Sequence, residues 1–359
     1  MSDLKITGLR ARAVNVPLTY PVRTSVGIVA TSPLVLIDLQ TNQGLTGRSY
    51  VFTYTPLGLA PVRELLQALE QVLVGQAVAP FDIERLLQQR FRLLGNTGIV
   101  KIACAGIDMA AWDALAQSRG IPLVELLGGK RKAIPAYDSH SMDGPKVGPE
   151  RAQRAVDQGL TAIKIKIGHK TLKEDVDSVK LIRSVIGDNT HLMVDINQGL
   201  SVANAIERCR ALEQFNLAWI EEPTLQENYA GHAQIRASTS IPITLGENWF
   251  SVDEMHKAIV AGAGDLVMPD AMKIGGVSGW LRASALAETY QIPMSSHIFE
   301  EFSCHLMAVT PTAHWLEKMG LADPILQEPL RYVDGAAVIP ESPGAGISWN
   351  EEAISRYAI

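Results

Sequence analysis

The sequence has few cysteines, no long apolar run and no excess of positive charge. Its three cysteines, Cys104, Cys209 and Cys304, are too few and too scattered for a disulfide framework, so we expect reduced, mostly buried thiols. No stretch approaches the roughly 20 apolar residues that a membrane-spanning helix needs, and the opening MSDLKITGLRARAVNV lacks the apolar centre of a signal peptide. We therefore expect a cytoplasmic protein with no membrane partner.

The rest of the composition is typical of a packed globular protein. Hydrophobic residues make up 47% of the 359 residues and the formal net charge is −6, which argues against a nucleic-acid partner. The length is sufficient for two domains, one of them as large as a barrel.

Hydrophobic periodicity divides the chain into three regions. Residues 1–130 begin with strand-like alternation over 5–17 and 34–39 and continue with helical periodicity, which indicates a small α+β domain. Residues 131–320 alternate between short apolar strands and helix-like stretches, the pattern of a parallel barrel. Residues 321–359 carry four prolines, and we expect an irregular segment that returns to the first domain. The predicted helices are 61–74, 82–94, 102–118, 172–186, 202–214 and 252–261, and the predicted barrel strands are 133–138, 162–167, 192–196, 218–221, 243–246, 266–268, 293–296 and 312–316.

Six ionisable side chains recur at intervals of 23 to 29 residues, each at the end of a short apolar run. This interval is about one strand plus one helix, and a barrel brings the C-terminal ends of all its strands to one face. The sequence therefore predicts one active site collected from six strands. The six residues are Lys166, Asp195, Glu221, Glu247, Asp270 and His297.

Three of the six are carboxylates on successive strands and predict a metal site. Asp195, Glu221 and Glu247 would repel one another unless a cation lay between them, and all-oxygen ligation suits Mg²⁺. The sequence has no Cys/His cluster that would favour zinc. Strand alternation gives Asn197 the same facing as Asp195, so we expect Asn197 near the substrate, and it turns Glu222 away, behind the metal ligands.

The other ionisable residues predict two bases. Lys164 and Lys166 are two residues apart on one strand, so both ammonium groups would enter the barrel mouth and lower each other's pKa. Asp270 and His297 end consecutive strands, and a carboxylate beside an imidazole fixes its tautomer and raises its basicity.

Taken together, these motifs resemble the enolase superfamily, mandelate racemase subgroup. The matching segments are KxK at 164–166, DxN at 195–197, EEP at 221–223, GEN at 246–248, PDxxKxGG at 269–276, SSHxF at 295–299, YDSH at 137–140 and PTAHWLE at 311–317. The resemblance covers essentially the whole chain. It implies a modified TIM barrel, (β/α)₇β, with an N-terminal α+β capping domain, one Mg²⁺ per subunit, and a homo-oligomer, commonly an octamer.

The resemblance also implies a reaction. Removing a proton α to a carboxylate creates an enediolate, which Mg²⁺ and Lys164 would neutralise. A protonated Glu317 would donate a hydrogen bond to the substrate carboxylate, and Ser139 would lie among the substrate-binding residues. Bases on opposite faces, Lys166 for the (S) form and His297 for the (R) form, would permit racemisation by 1,1-proton transfer.

Apolar residues of the first domain predict the substrate class. We expect Val22, Val26, Val29, Phe52 and Tyr54 in loops that cover the barrel mouth, with Ile298 and Met319 adding to the same wall. Such a pocket suits a phenyl ring better than a polyol. Together with the resemblance, this pocket implies a racemase of mandelate or a similar aromatic 2-hydroxy acid, in aromatic-acid catabolism.

Three alternatives stay open. A sugar-acid dehydratase would share the enediolate step and then eliminate a β-hydroxyl. A relative of muconate cycloisomerase would use Lys273 as the opposite base. A metal-stabilised binding protein would have no use for acid/base groups on both faces.

Overall fold

The computed structural model describes residues 4–359, which form a three-stranded antiparallel sheet with helices, a parallel barrel and a C-terminal segment. The strands are β1 (Ile6–Arg23), β2 (Ile28–Thr41), β3 (Thr46–Phe52), β4 (Ala133–Ser139), β5 (Ala162–Lys166), β6 (His191–Asp195), β7 (Leu217–Glu221), β8 (Ile243–Leu245), β9 (Leu266–Val267), β10 (Leu316–Lys318), β11 (Arg331–Val333) and β12 (Ala336–Val338). The helices are α1 (Leu59–Leu73), α2 (Pro80–Arg90), α3 (Gly98–Arg119), α4 (Leu123–Leu126), α5 (Gly144–Asp157), α6 (Leu172–Ile186), α7 (Val202–Leu212), α8 (Tyr229–Arg236), α9 (Val252–Val260), α10 (Ala271–Ile274), α11 (Gly276–Thr289), α12 (Glu300–Ala308) and α13 (Glu351–Tyr357). No helix within residues 4–359 is long and apolar enough to cross a membrane.

The N-terminal capping domain consists of the sheet β1–β2–β3 and the helices packed against it. Helix α3 lies close to β2 at Gly106, where a Cβ would lie only 2.3 Å from Ile37 Cδ1. The next residue of β2, Asp38, points to the other face of the sheet. There it accepts a hydrogen bond of 2.7 Å from Trp349 Nε1 of the C-terminal segment. Because α3 packs on one face of the sheet and the C-terminal segment packs on the other, the middle of β2 is fully buried.

The first two strands extend further than the sequence predicted. Val22 and Val29 are paired across β1 and β2, and Phe52 ends β3, so the prediction that these three residues lie in loops is wrong. Val26 and Tyr54 do lie in connections. The register of β1 against β2 shifts between Pro17 and Val22, and this irregularity interrupts the alternation on which the strand prediction depended.

The barrel strands follow one another in parallel from β4 to β9, and β10 pairs with β4 on the other side. The predicted seventh strand, 293–296, is reduced to isolated bridges from Met294 to Val267 and to Ala313. The eighth strand, β10, lies later in the chain than the predicted 312–316. With these two adjustments the ring has the eight positions of the predicted (β/α)₇β barrel.

The C-terminal segment is more regular than predicted. It contains the antiparallel pair β11–β12 and the helix α13, and β12 extends the barrel sheet by pairing with β4. Its end returns to the capping domain, where the Ile359 N–H donates to Ala13 O at 3.1 Å.

A layer of large side chains fills the barrel below the charged residues. Tyr137 and Trp219 are buried with ring centroids 5.4 Å apart, edge to face, and they pack with Met193 and Met268. The Lys164 ammonium lies 5.3 Å from the Tyr137 ring centroid. This apolar floor keeps water away from the polar end of the barrel.

Candidate active site

The six ionisable side chains predicted from the sequence do meet at the C-terminal ends of the barrel strands. Lys166, Asp195 and Glu221 are register partners on the neighbouring strands β5, β6 and β7. Asp270 and His297 form a bridge across the next gap in the ring after β9. All six are at most 8% exposed, so their charges act through a largely water-free interior.

The carboxylates of Asp195, Glu221 and Glu247 form a compact oxygen cluster. Each offers an oxygen, and these three oxygens lie within 4.8 Å of one another. Burial raises the pKa of Glu221, Lys164 lowers it, and Asp195 and Glu247 raise it further, with a raised pKa as the net result. A hard divalent cation relieves this repulsion, and an all-carboxylate donor set fits Mg²⁺.

Two lysines balance part of this negative charge. Lys164 Nζ lies 2.9 Å from Glu221 and 2.8 Å from Glu317, and Lys166 Nζ is in close contact with Asp195. Burial and the neighbouring Lys164 lower the pKa of Lys166, but Asp195, Glu247 and Glu221 together outweigh them and the pKa is raised. The pKa of Lys164 is also raised, because Glu221 and Glu317 outweigh its burial. Lys164 does lower the pKa of Lys166, as predicted, but the expected net lowering is wrong because the surrounding carboxylates have the larger effect.

Asp270 orients His297 as predicted from the sequence. His297 Nδ1 lies 2.7 Å from Asp270 Oδ2, which leaves Nε2 to face the metal ligands, 3.2 Å from Glu247. Burial lowers the pKa of His297, but Glu247 and the hydrogen bond to Asp270 raise it to about 9. Asp270 is itself fixed, because its Oδ1 accepts the Lys273 N–H at 2.8 Å at the start of α10.

Glu317 differs from the expectation in its charge. Its Oε1 pairs with Lys164 at 2.8 Å and its Oε2 accepts the Ile298 N–H at 3.0 Å. Burial raises the pKa of Glu317, but Lys164 and His297 outweigh it and the net pKa is lowered. The structure therefore favours an ionised Glu317 over the protonated one expected, because a buried ammonium lies beside it.

Asn197 and Glu222 lie where the sequence predicted, for a different reason than strand alternation. The strand ends at Asp195, and Asn197 follows in a left-handed turn with φ 46°. Asn197 Nδ2 donates to Asp195 Oδ2 at 2.9 Å, and its Oδ1 has no protein partner in the described chain. Glu222 lies behind the ligands and accepts two hydrogen bonds of 2.9 Å from Asn248 Nδ2.

Asn248 was not predicted as a site residue, although it follows Glu247 in the GEN segment. Its Nδ2 lies 3.2 Å from Glu247 Oε1, and its Oδ1 accepts from Lys273 Nζ at 2.5 Å. Lys273 Nζ in turn lies 4.3 Å from the Tyr54 ring centroid. Asn248 therefore connects the metal ligand to a lysine and to the capping domain.

A cavity of about 430 Å³ opens above these groups, between the barrel and the capping domain. Lys166 and His297 both line it, together with the predicted lid residues Val22, Val26, Val29, Phe52, Tyr54, Ile298 and Met319. The Phe52 and Tyr54 rings are in contact, with centroids 4.5 Å apart. Most of the wall around the charged floor is thus apolar, as predicted.

Ser139 is not part of this cavity. It lines an adjoining space of about 230 Å³ with Tyr20 and Arg151, and Val22 and Met319 separate the two spaces. The role of Ser139 in substrate binding therefore stays a prediction.

Comparisons with known proteins agree with this geometry. Residues 6–128 match the model of the mandelate racemase / muconate lactonizing enzyme N-terminal domain, and residues 149–353 match the enolase C-terminal domain-like model. A Bradyrhizobium enolase solved with magnesium and mandelic acid has 46% sequence identity and a TM-score of 0.96, and the match covers 100% of this chain and 99% of that one.

Curated relatives are more diverse in activity. The 3,6-anhydro-alpha-L-galactonate cycloisomerase of Streptomyces coelicolor is 31% identical over 99% of both chains. The L-talarate/galactarate dehydratase of Salmonella typhimurium is 30% identical over 89% of this chain and 81% of its own. Racemases and epimerases also occur among the matches. The relatives therefore share a scaffold and differ in reaction.

Proposed function

Because the chain belongs to the mandelate racemase / muconate lactonizing enzyme family of the enolase superfamily, whose enzymes use Mg²⁺, we propose that it racemises mandelate or a similar aromatic 2-hydroxy acid. The observation that carries the proposal is that Lys166 and His297 both line one cavity with a mostly apolar wall. Lys166 ends the second strand of the ring and His297 follows the seventh, so they reach the cavity from different directions.

The metal would be held by Asp195, Glu221 and Glu247. When bound, Mg²⁺ supplies positive charge beside the substrate carboxylate, where negative charge develops as the α-proton leaves. Lys164 adds a second positive charge near the same place, and Glu317 holds the Lys164 ammonium in position. These charges stabilise the deprotonated substrate in a site that excludes bulk water.

Racemisation then requires one base and one acid in each turnover. For one enantiomer the Lys166 amine, once it has lost its own proton, takes the α-proton, and the His297 imidazolium delivers a proton from Nε2 to the opposite face of the same carbon. For the other enantiomer the two residues exchange these roles. Asp270 keeps Nε2 of His297 directed toward the cavity by binding Nδ1, and this orientation is what a general acid/base needs.

The apolar wall supports the aromatic substrate class. Val22, Val29 and Phe52 offer no hydrogen bonds to the hydroxyl groups of a polyol, whereas a phenyl ring buries apolar surface against them. The Bradyrhizobium relative with bound mandelic acid supports the same assignment.

A sugar-acid dehydratase is the second candidate, and the Salmonella dehydratase favours it. Such an enzyme would abstract the same α-proton and then expel a β-hydroxyl, which gives a keto acid instead of the opposite enantiomer. Asn197 and Lys273 are among the polar residues that line the cavity and could contact substrate hydroxyls.

One assay separates the two candidates. Purified enzyme with Mg²⁺ is incubated with (R)-mandelate and followed by loss of optical rotation, in parallel with a panel of sugar acids followed by keto-acid formation. We expect rotation to decay to zero with mandelate and no keto acid from the panel. Keto-acid formation without mandelate racemisation would overturn the proposal in favour of a dehydratase.

A further inference from the structure

The turn that joins β1 and β2 is fastened to the barrel by one side chain, that of Ser25. Ser25 Oγ donates to Ile196 O at 2.5 Å. The residues on either side, Thr24 and Val26, line the active-site cavity, whereas Ser25 does not. Ser25 therefore connects the lid to the barrel from outside the substrate space.

Two glycines leave room for this side chain. A Cβ on Gly168 would lie 2.8 Å from Ser25 Cβ, and a Cβ on Gly199 would lie 2.3 Å from Ser25 Oγ. These glycines follow β5 and β6, which carry Lys166 and Asp195. Any larger residue in this notch, at position 25 or at either glycine, would push the turn away from the barrel.

The turn itself is a closed unit with little other packing. Thr24 Oγ1 accepts the N–H groups of Val26 and Gly27 at 3.1 and 3.0 Å, and the Thr24 N–H donates to Gly27 O at 2.9 Å. Val26 and Ile28 are 70% and 66% exposed, so apolar contacts contribute little to holding the β1–β2 turn in place. The next backbone anchor is Arg23 O, which accepts the Met142 N–H at 3.0 Å.

The carbonyl that accepts from Ser25 belongs to the turn that orients the site. Ile196 lies between Asp195 and Asn197, and its O also accepts the Gly199 N–H at 3.1 Å. The same turn directs the Asn197 N–H to Asp195 Oδ1 at 2.7 Å. One short backbone segment therefore both anchors the lid turn, through Ile196, and positions Asp195, a predicted metal ligand.

We propose that Ser25 is a positioning residue that latches the β1–β2 turn to the β6–α7 segment and so sets the distance between the apolar wall and the reacting groups. The hydrogen bond from Ser25 to Ile196 O is independent of the proposed function, and only its expected effect on mandelate binding rests on that function. With the latch closed, Val22, Val26 and Val29 form a fixed wall against the substrate ring. Without it, the turn opens more often and substrate is held less tightly.

The first test compares Ser25→Ala with the wild type. Loss of one such hydrogen bond should raise KM for mandelate roughly 3- to 10-fold, with a smaller effect on kcat. Amide hydrogen exchange over residues 20–29, measured by mass spectrometry without substrate, should accelerate by a similar factor. The matched control is Ser118→Ala, which removes a hydroxyl that donates to Leu115 O at 2.7 Å on the far helix α3 and should change neither quantity.

The second test fills the notch from the barrel side. Gly199 does not have a positive φ, so its backbone conformation permits Ala, and the new Cβ would displace Ser25 first, since it would lie 2.3 Å from Ser25 Oγ and 3.2 Å from Ile196 O. Gly199→Ala should therefore reproduce the exchange phenotype of Ser25→Ala, and the effects of the two substitutions should not add in the double variant.

The outcomes separate the latch from the proposed function. If wild-type enzyme does not racemise mandelate but both variants accelerate exchange over residues 20–29, the latch stands and the proposed substrate fails. If the wild type is active and Ser25→Ala leaves KM and exchange unchanged, the latch is wrong. Effects of Ser25→Ala and Gly199→Ala that add fully would also contradict it.

Discussion

At the scale of single residues, types and positions were predictable, and protonation states were not. Strand ends spaced one βα unit apart identified the carboxylate trio and the Asp270–His297 pair, because a barrel brings these positions together. The charge of Glu317 and the pKa of Lys166 depend on which partner lies within about 3 Å, and no sequence interval reports that distance. Asn248 was missed for the same reason, since its partners are Lys273 of α10 and Glu222, which follows β7.

Glu247 gives the first prediction at this scale. Its pKa is lowered to about 2, since His297, Lys273 and the two site lysines outweigh its burial, so it is a full negative charge at neutral pH. Glu247→Gln removes one of three charged ligands and should weaken Mg²⁺ binding by roughly 10-fold or more, measured by calorimetry. Glu227→Gln, the same change at an exposed position, is the control. Equal Mg²⁺ affinity in all three proteins would remove Glu247 from the metal site.

His305 gives a prediction about acid stability. It is fully buried, its Nδ1 accepts the Val124 N–H at 3.1 Å, and burial lowers its pKa from 6.5 to about 4. Between these values the unfolded chain binds a proton that the folded chain does not, so this contribution to stability is present above pH 6.5 and is lost as pH falls toward 4. The loss is about 3 kcal/mol at roughly 1.4 kcal/mol per pKa unit.

Urea unfolding at several pH values checks the His305 prediction. The difference in unfolding free energy between wild type and His305→Gln should shrink as pH falls from 6.5 to 4. A difference that stays constant over this range would mean that His305 titrates normally in the folded protein.

At the scale of elements, amphipathic helices and regular barrel strands were predicted best. Helix α6 has the predicted bounds, because its apolar face repeats cleanly between the capping residue Thr171 and Gly187. The capping sheet was predicted poorly. β3 contains Gly47 and a buried Ser49 that donates to Gly106 O at 2.7 Å, so its buried face does not look apolar in the sequence. The seventh barrel strand is only a set of bridges, and no local pattern distinguishes it from a strand.

The paired lid strands provide the prediction at this scale. Val22→Phe or Val29→Phe should reduce kcat/KM for mandelate relative to a small alkyl 2-hydroxy acid, because the added ring occupies space that the substrate ring needs. A change of roughly 1–3 kcal/mol in discrimination is expected. Val260→Phe on the exposed face of α9 is the matched control. Unchanged relative rates in both lid variants would show that the substrate ring lies elsewhere.

At the scale of the whole molecule, the site exists only where the capping domain meets the barrel. Buried side chains fix that junction: Tyr50 OH donates to Glu301 Oε2 at 2.6 Å, and Trp112 Nε1 donates to Ser278 Oγ at 2.9 Å. Such an arrangement lets a common barrel serve several reactions while the cap selects the substrate.

Metal binding should stabilise the assembled molecule, because Mg²⁺ offsets the repulsion within the buried carboxylate trio. Chelation with EDTA should abolish activity and lower the thermal unfolding midpoint, and added Mg²⁺ should restore both. In Glu247→Gln the midpoint should respond to Mg²⁺ only at higher concentration. Full activity with metal shown to be absent would contradict the metal-dependent account.

The central claim is that Lys166 and His297 act on opposite faces of one carbon, and hydrogen exchange in D₂O tests it most directly. His297→Asn should end racemisation in both directions, since each turnover needs both residues, yet Lys166 should still exchange the α-hydrogen of one enantiomer, expected to be (S), with retention of configuration. The (R) enantiomer should keep its hydrogen, as followed by NMR. Lys166→Met should show the reverse pattern. If His297→Asn racemises normally, or exchanges both enantiomers equally, the two-base account is wrong and Lys273 becomes the residue to test.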